Sequence, residues 1–178
     1  MRTLNLYYSS TGNTGKVAAR IDQALQELGH NHDSVQADGE TEIDVLGYDL
    51  VLVGSGVYAW LPGKPLQDLL TRLRKAYVKD GAIKPASPRV PGKKAVVYCT
   101  YGGAHTGINE AEPAAKYMAQ LFDHLGFEIL GEIYVVGEYI PENMQKMSLE
   151  GRLGDIRGRP DEHDLNEVEQ RIRGLLRV

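Results

Sequence analysis

The stretch that decides the fold is Ser-Ser-Thr-Gly-Asn-Thr-Gly at residues 9–15, which lies between a short apolar segment and an amphipathic one. Residues 4–8 before it, Leu-Asn-Leu-Tyr-Tyr, have the composition of a buried β-strand. After it, apolar residues recur at helical spacing up to Leu28, and Gly29 follows as a helix stop. A hydroxyl-rich turn is therefore predicted to connect the first strand to the first helix.

This turn has the chemistry of an anion site. The first amides of a helix have no partner within the helix, and the helix dipole favours negative charge at that end. The side-chain hydroxyls of the turn can converge on the same point; they belong to Ser9, Ser10, Thr11 and Thr14. The sequence therefore predicts a phosphate site that needs no cationic side chain.

Two common phosphate-binding motifs are excluded by individual residues. A Walker A loop needs glycine where Ser10 stands and Ser or Thr where Val17 stands. A dinucleotide-binding fingerprint also needs glycine at Ser10. A Gly-x-Gly-x-x-Ala match occurs at residues 54–59, but Pro62 and Pro65 prevent a helix from starting where that motif needs one.

Length, charge and cysteine content exclude several classes of function. A chain of 178 residues has room for one well-buried domain, so we expect a single domain over residues 1–178. A net charge of −4 favours neither a nucleic-acid groove nor an anionic membrane surface. The sequence has no run of transmembrane length and opens directly into a strand without a signal peptide, so we expect a cytoplasmic protein with no membrane span. The single cysteine, Cys99, excludes a disulfide framework within one chain.

Strand-like and helix-like segments alternate along the rest of the chain. Further strands are predicted near residues 33–37, 48–53, 94–99 and 128–136, and further helices near residues 65–73, 111–125 and 161–176. Two segments rich in proline or glycine, residues 77–93 and 137–160, are predicted to be long loops. This alternation predicts an α/β fold with a parallel sheet covered by helices on both faces.

Residues 9–14 resemble the phosphate loop of the flavodoxins, which has the pattern hydroxyl-x-Thr-Gly-Asn-Thr. The resemblance implies a flavodoxin-like three-layer sandwich with a five-stranded parallel sheet in the order 2-1-3-4-5, and it implies FMN as the cofactor. It also implies which residues bind the 5′-phosphate of FMN: Ser9, Ser10, Thr11, Gly12, Asn13 and Thr14.

The loop after the third predicted strand resembles the corresponding flavodoxin loop more loosely. It contains Trp60, the only tryptophan of the chain, and Tyr58, and either ring suits offset stacking on an isoalloxazine. The resemblance implies that an aromatic residue here covers the inner face of the flavin and that the Gly56 peptide flips to meet flavin N5. Alternatively, both aromatic residues plug the core.

The loop after the fourth predicted strand begins Thr-Tyr-Gly-Gly, from Thr100 to Gly103. The resemblance implies that Tyr101 covers the outer face of the flavin. Gly102 and Gly103 then let the backbone approach the pyrimidine edge, because glycine has no Cβ. His105 is a candidate donor to flavin N1 or O2, or else it caps the next helix or faces solvent.

Two groups with reactive chemistry are interpreted as structural. Cys99 is expected to be a buried apolar residue rather than a redox partner. His30, His32 and Asp33 have the chemistry of metal ligands, but they follow the helix stop at Gly29, far from the predicted ligand edge. We expect them to form a solvated loop, and we expect no metal site.

Two functions of different classes follow from the resemblance. The first is an FMN-dependent oxidoreductase that takes electrons from NAD(P)H or a redox protein and passes them to a small acceptor, such as a quinone or a porphyrin-type substrate. The second is a flavodoxin-type one-electron carrier that docks on protein partners. The modest acidity and the long loops favour the enzyme, since residues 137–160 can cover the flavin, shape a substrate site or pack against another subunit of a homo-oligomer. A flavodoxin fold that holds no flavin and serves as an interaction domain is a third reading.

Overall fold

The computed structural model describes residues 1–177. In this part of the chain, five parallel strands form one sheet: β1 (Arg2–Tyr8), β2 (Asn31–Gln36), β3 (Leu50–Tyr58), β5 (Lys94–Tyr101) and β6 (Glu128–Val136), in the order β2-β1-β3-β5-β6. A two-residue strand, β4 (Leu61–Pro62), pairs antiparallel with the end of β3. Counting the parallel strands alone gives the order 2-1-3-4-5, so the predicted flavodoxin-like topology is confirmed.

Helices cover both faces of the sheet. On one face lie α1 (Asn13–Glu27) and α5 (Glu162–Leu176), and on the other lie α2 (Lys64–Lys79) and α3 (Glu112–His124). A shorter helix, α4 (Gln145–Glu150), belongs to the long segment between β6 and α5. Each helix places a stripe of apolar side chains against the sheet, which gives two hydrophobic cores, one on each side.

Several boundaries differ from the sequence-based predictions. Residues 54–58 were predicted to form a loop but continue β3, because Gly54 and Ser55 pair with β1 on one side and with β5 on the other. Residues 77–79 belong to α2, and the predicted loop at 137–160 contains α4. These elements depend on long-range pairing and packing, which override local propensity.

The expectation of a solvated loop at residues 30–33 is wrong in part. Asn31 already begins β2, which pairs in register with β1 at the edge of the sheet. His30 Nδ1 lies 3.4 Å from Thr3 Oγ1, and His32 Nε2 lies 3.5 Å from a carboxylate oxygen of Asp22. The segment has few apolar residues because an edge strand is covered on fewer sides than a central one.

A fully buried tyrosine connects the central strands. Tyr98 of β5 crosses β3 at Gly54, where an added Cβ would lie 2.0 Å from the ring. The Tyr98 hydroxyl donates to Asn5 Oδ1 on β1 at 2.8 Å. Asn5 Nδ2 in turn donates to the Ala18 carbonyl (3.1 Å) and to Asp22 Oδ1 (2.8 Å) of α1. Burial raises the pKa of Tyr98 well above its ordinary value, so the hydroxyl stays protonated as a donor.

The segment after β6 is attached to α5 by a charged pair. The Arg159 guanidinium donates two hydrogen bonds to the Asp164 carboxylate, which is 5% exposed. Asp161 and Asp164 also form a capping box at the start of α5. Burial by itself would raise the pKa of Asp164, but the hydrogen bonds from Arg159 and from the Asp161 amide outweigh it and lower the pKa.

We expect Gly54→Ala to lower the free energy of unfolding by about 1–3 kcal/mol, because the new methyl group overlaps the Tyr98 ring. Urea denaturation measures the change. Gly39→Ala is the matched control, since a Cβ there meets no atom within 4 Å, and its effect should stay within about 0.5 kcal/mol. Equal losses in the two variants would contradict the crossing of Tyr98 over Gly54.

We expect Arg159→Gln to lower the free energy of unfolding at pH 7 by about 1.5–3 kcal/mol, because it removes charged hydrogen bonds to a buried carboxylate. The folded-state pKa of Asp164 is depressed, so its stabilisation is present above the unfolded pKa of about 3.9 and is lost as the pH falls through the folded value. The difference between the wild type and the variant should therefore shrink at pH 3. Arg157→Gln is the control, because Arg157 pairs with the exposed Asp155 two residues away. A pH-independent difference would contradict the assignment.

Candidate functional site

A cleft of about 490 Å³ opens at the carboxyl ends of β1, β3 and β5. The turn after β1, the β3–β4 hairpin, the loop after β5 and the segment after β6 form its walls. The structure brings together most of the predicted site residues in this lining: Thr11, Asn13, Thr14, Gly56, Tyr58, Trp60, Thr100, Tyr101, Gly102, Gly103 and His105. The other predicted residues, Ser9, Ser10 and Gly12, lie in the turn after β1 but outside the lining.

The turn after β1 closes around the hydroxyl of Ser9. Ser9 Oγ accepts from the amides of Gly12 (3.2 Å) and Gly15 (3.1 Å). Gly12 has a φ of 99°, a left-handed conformation that glycine adopts without strain. Among the described residues, the amides of Asn13 and Thr14 have no hydrogen-bond acceptor. These two amides at the start of α1 are therefore available to an anion.

The remaining hydroxyls of the turn have different surroundings. Thr14 Oγ1 lies 2.7 Å from Thr100 Oγ1, and both side chains are buried. Ser10 Oγ lies 2.6 Å from the Tyr58 hydroxyl, which links the turn to the β3–β4 hairpin. Thr11 is exposed and lines the cleft. The hydroxyls of Ser9, Ser10 and Thr14 thus have separate partners and do not converge on one point as predicted. The hydroxyl of Thr11 belongs to an exposed residue of the lining.

Asn13 reaches across the cleft to the segment after β6. Its Nδ2 donates to the carbonyl of Glu138 at 2.8 Å, and its Oδ1 is buried without a donor in the described structure. At Gly137, an added Cβ would lie 2.9 Å from Asn13 Nδ2, so glycine is needed for this close approach. A buried acceptor without a donor costs about 1–3 kcal/mol. A ligand hydroxyl or a water molecule that donated here would remove that cost.

The tip of the β3–β4 hairpin holds an aromatic ring at the cleft. Trp60 is 62% exposed, so it does not plug the core. Trp60 and Ala59 have φ values of 68° and 46°, the left-handed region that a two-residue hairpin turn requires. Residues other than glycine are strained there, and such strain is concentrated at functional sites. Tyr58 lies over Gly56, where an added Cβ would be 3.0 Å from the Tyr58 hydroxyl.

The side of the cleft next to β5 differs from the arrangement that the resemblance implies. Tyr101 borders the cleft but is 9% exposed, and its ring belongs to the core beneath α2 and α3. Gly102 is covered by Tyr139, whose ring would lie 2.2 Å from an added Cβ. The Tyr139 hydroxyl accepts from the Ala104 amide at 3.4 Å. Tyr139 is therefore the aromatic side chain that covers the glycine backbone on this side.

The sequence offered residues 137–160 as a segment that covers the flavin or shapes a substrate site, but it assigned no individual residue of the wall after β6. Further lining residues that were missed are Val57, Ala59, Glu110, Gly137, Glu138, Tyr139, Ile140, Pro141, Met144 and Met147. The available signal was the run Tyr139-Ile140-Pro141, which stands between the acidic residues Glu138 and Glu142. Ile140 and Met147 remain 42% and 36% exposed, so the cleft has an apolar mouth.

The charged groups at the cleft are acidic. Among the described lining residues there are two carboxylates and no Lys or Arg. The Glu110 carboxylate accepts from the amides of His105 and Thr106 at 2.7 Å each, while the His105 side chain is exposed at the cleft. Behind the cleft, burial raises the pKa of the Cys99 thiol, so Cys99 is a buried residue held in the neutral form, as predicted.

Two searches of the described residues gave negative results. Residues 1–177 contain no group of three His, Cys, Asp or Glu side chains placed to hold a metal ion. Within the same residues, every helix is too short or too polar to span a membrane.

Comparisons with known proteins agree with this architecture. Residues 4–79 match a family model described as a flavodoxin domain, whereas no curated protein matches the chain. Flavodoxin 2 from Bacillus cereus in its oxidised state superposes with a TM-score of 0.67 at 16% identity, over 99% of both chains. A flavodoxin from Streptococcus pneumoniae TIGR4 gives 0.65 at 19% identity, also over 99% of both chains. The two-electron reduced flavodoxin of Megasphaera elsdenii gives 0.56 at 21%, over 95% of this chain and 98% of that one.

At these identities the structural likeness shows the fold: a doubly wound α/β protein with a cleft at the carboxyl ends of its central strands. The family match adds a sequence pattern over residues 4–79, which are less than half of the chain. Together with the flavodoxin-like fold, this match implies FMN as the cofactor.

The donors and acceptors of the cleft fit FMN. Two amides at the start of α1 and the Thr11 hydroxyl can donate to a phosphate, and the dipole of α1 favours its charge. The buried Oδ1 of Asn13 lacks a donor, which a sugar-alcohol hydroxyl could supply. Trp60, Tyr58 and Tyr139 provide aromatic surface for a flat ring.

Proposed function

We propose that the protein binds FMN in this cleft and acts as an oxidoreductase that passes electrons from a reduced donor to a small, flat, apolar acceptor. The observation that carries the proposal is the apolar wall after β6, which extends the cleft beyond the turn, the hairpin and the β5 loop. Fold likeness alone supports a redox protein that holds FMN; this wall supports a site for a second molecule.

In this proposal the phosphate of FMN lies at the start of α1. The amides of Asn13 and Thr14 and the Thr11 hydroxyl bind it, and Ser9 and Gly12 hold the turn in shape. Ser10 connects the turn to Tyr58 and so fixes the hairpin. Uncharged donors are sufficient because the aligned dipoles of α1 stabilise the negative charge.

The flavin ring lies farther along the cleft in the same proposal. When bound, FMN supplies the electron-transfer chemistry, and the chain contributes binding, orientation and exclusion of water. Trp60 covers one face of the ring, and Gly56 leaves room for the backbone beside it. The pyrimidine edge faces the loop after β5; the residues that we assign to it are Thr100, Gly103 and His105.

The acceptor contacts the wall after β6. Ile140 and Met147 line the cleft yet stay partly exposed, and covering apolar surface is worth about 25 cal/mol per Å². Met144, which lies between them in sequence, also lines the cleft, and methionine side chains adapt to ligands of irregular shape. An apolar, flat acceptor such as a quinone or a porphyrin-type ring matches this surface better than a charged one.

A one-electron carrier that docks on a protein partner is the second candidate function. The exposure of Trp60 at the hairpin tip favours it, because an aromatic side chain at the rim of a redox site is a suitable protein contact. A carrier would exchange electrons with its partner at this rim and would need no acceptor bound against Ile140 and Met147.

Anaerobic stopped-flow with the FMN-loaded protein separates the two functions. For the oxidoreductase we expect NADH, NADPH or a reduced redox protein to bleach the flavin, and a small quinone to reoxidise it with a rate that saturates. Photoreduction that accumulates a stable semiquinone, together with quinone reoxidation that never saturates, would instead support the carrier. A protein that stays colourless in excess FMN would refute both.

We expect Ile140→Lys to raise KM for the quinone about fivefold with kcat little changed, because it removes apolar contact that is made equally in the ground state and the transition state. Steady-state kinetics of the FMN-loaded protein measure it. Val78→Lys on α2 is the matched control, since Val78 is also exposed and lies outside the cleft. An unchanged KM in the first variant would remove the support for the acceptor wall.

We expect Thr11→Ala to weaken FMN binding by about 1.5–3 kcal/mol, because it removes a hydrogen bond to a charged group. Titration of the FMN-free protein measures the affinity, and Thr11→Ser should retain most of it. Thr71→Ala on α2, outside the cleft, is the control. The phosphate assignment fails if Thr11→Ala binds FMN as tightly as the control.

A further inference from the structure

The segment after β6 places one aromatic residue, Tyr139, in the lining of the cleft. We propose that Tyr139, rather than Tyr101, covers the outer face of the bound ring, and that the buried Ser148 holds Tyr139 in place. The inference rests on the proposed function, since it assumes that FMN occupies the cleft. It changes which segment of the chain completes the site: the aromatic wall comes from the segment between β6 and α5 and not from the loop after β5.

Tyr101 is poorly placed for the outer face. It is the last residue of β5, its side chain is 9% exposed, and its ring packs in the core beneath α2 and α3. Its carbonyl accepts from the Gly137 amide at 2.9 Å, so its backbone is held at the sheet edge. To stack on a ligand in the cleft, the ring would have to leave the core and lose its buried apolar contacts.

Tyr139 already covers the corresponding backbone. Its ring occupies the space where Gly102 lacks a side chain: an added Cβ would lie 2.2 Å from Cε2 and 2.4 Å from Cζ. The Ala104 amide donates to its hydroxyl at 3.4 Å. The side chain is half-buried and lines the cleft, so part of its surface remains open to a ligand. A ring that enters on this side therefore meets Tyr139 before the Gly102 backbone.

Side chains of α4 hydrogen-bond both the amide and the carbonyl of Tyr139. The hydroxyl of Ser148, which is fully buried, accepts from the Tyr139 amide at 2.8 Å. Gln145 Nε2 donates to the Tyr139 carbonyl at 2.6 Å. Ser148 is itself fixed, because its carbonyl accepts from the Ile156 amide at 2.8 Å. Ser148 is thus a positioning residue that acts through Tyr139.

The same region is joined to the loop after β5. The Arg152 amide donates to the Ala104 carbonyl at 2.8 Å. Gly151 packs against Ala104 so closely that an added Cβ would lie 3.1 Å from its Cα. The two segments therefore form one wall, with Tyr139 at its inner surface, and the ring has little freedom to swing away.

FMN titration of the FMN-free protein tests the inference, with binding followed by flavin fluorescence and by circular dichroism of the flavin band. Loss of one stacking partner weakens binding about 3- to 10-fold, so we expect this from Tyr139→Leu together with a changed dichroism spectrum. Tyr139→Phe should bind within about twofold of the wild type, because it keeps the ring. Tyr134→Leu on β6 is the matched control, since Tyr134 is a half-buried tyrosine outside the cleft. If Tyr139→Leu does not fold, Tyr139→Met replaces it, because methionine fills irregular space.

A double-mutant cycle tests the role of Ser148. We expect Ser148→Ala to weaken FMN binding in the wild type and to have no further effect on FMN binding in Tyr139→Leu, because it acts only through the position of that ring. Equal losses in both backgrounds would show that Ser148 is merely structural and would overturn that part of the inference.

Three outcomes would count against the assignment. Wild-type affinity and dichroism in Tyr139→Leu would overturn it. A larger loss in Tyr101→Leu than in Tyr139→Leu, with both variants folded by circular dichroism of the backbone, would return the outer face to Tyr101 and also overturn it. A wild-type protein that does not bind FMN at all would refute the proposed function itself. If the wild type binds FMN and Tyr139→Leu binds it equally well, only the assignment of Tyr139 fails.

Discussion

The hydrogen bond between the Tyr98 hydroxyl and Asn5 is the interaction on which the rest of the structure depends. The Tyr98 ring crosses β3 at Gly54, where the absence of a side chain leaves room for it. Asn5 Nδ2 also donates to the Ala18 carbonyl and to Asp22 of α1, so both the oxygen and the nitrogen of its buried side-chain amide have partners. In a low-dielectric interior each of these groups is costly to leave unpaired, and the network therefore specifies one arrangement of β1, β3, β5 and α1.

The candidate site follows from that arrangement. The loops that leave β1, β3 and β5 start from strand ends whose relative positions are fixed, so they meet at one cleft. The cleft then combines three different devices: free amides at a helix start, a strained hairpin tip that exposes Trp60, and a wall fastened by Ser148 and Arg159. It holds no lining cation among the described residues, so an anionic ligand here depends on dipoles and hydrogen bonds.

Two close approaches explain why the wall after β6 belongs to the site. Asn13 donates to the Glu138 carbonyl past Gly137, and Tyr139 lies on Gly102. Each contact uses a glycine on one side, and each joins segments that are distant in sequence. The cleft is therefore closed by tertiary packing, although its phosphate end is a local turn.

The sequence alone determined the parts that depend on local chemistry. The turn at residues 9–15, the apolar runs of the central strands and the alternation with helices predicted a doubly wound α/β fold with an anion site after the first strand, because backbone hydrogen bonding and burial act over a few residues. The strand order came from the resemblance of residues 9–14 to the flavodoxin phosphate loop, and the structure confirms it. Only the tertiary structure decided the continuation of β3 past Gly54, the burial of Tyr101 and the position of Tyr139. These features depend on partners distant in sequence, such as Asn13 and Glu138, which are 125 residues apart. Local pattern carries no information about which of two aromatic residues will find room in the core.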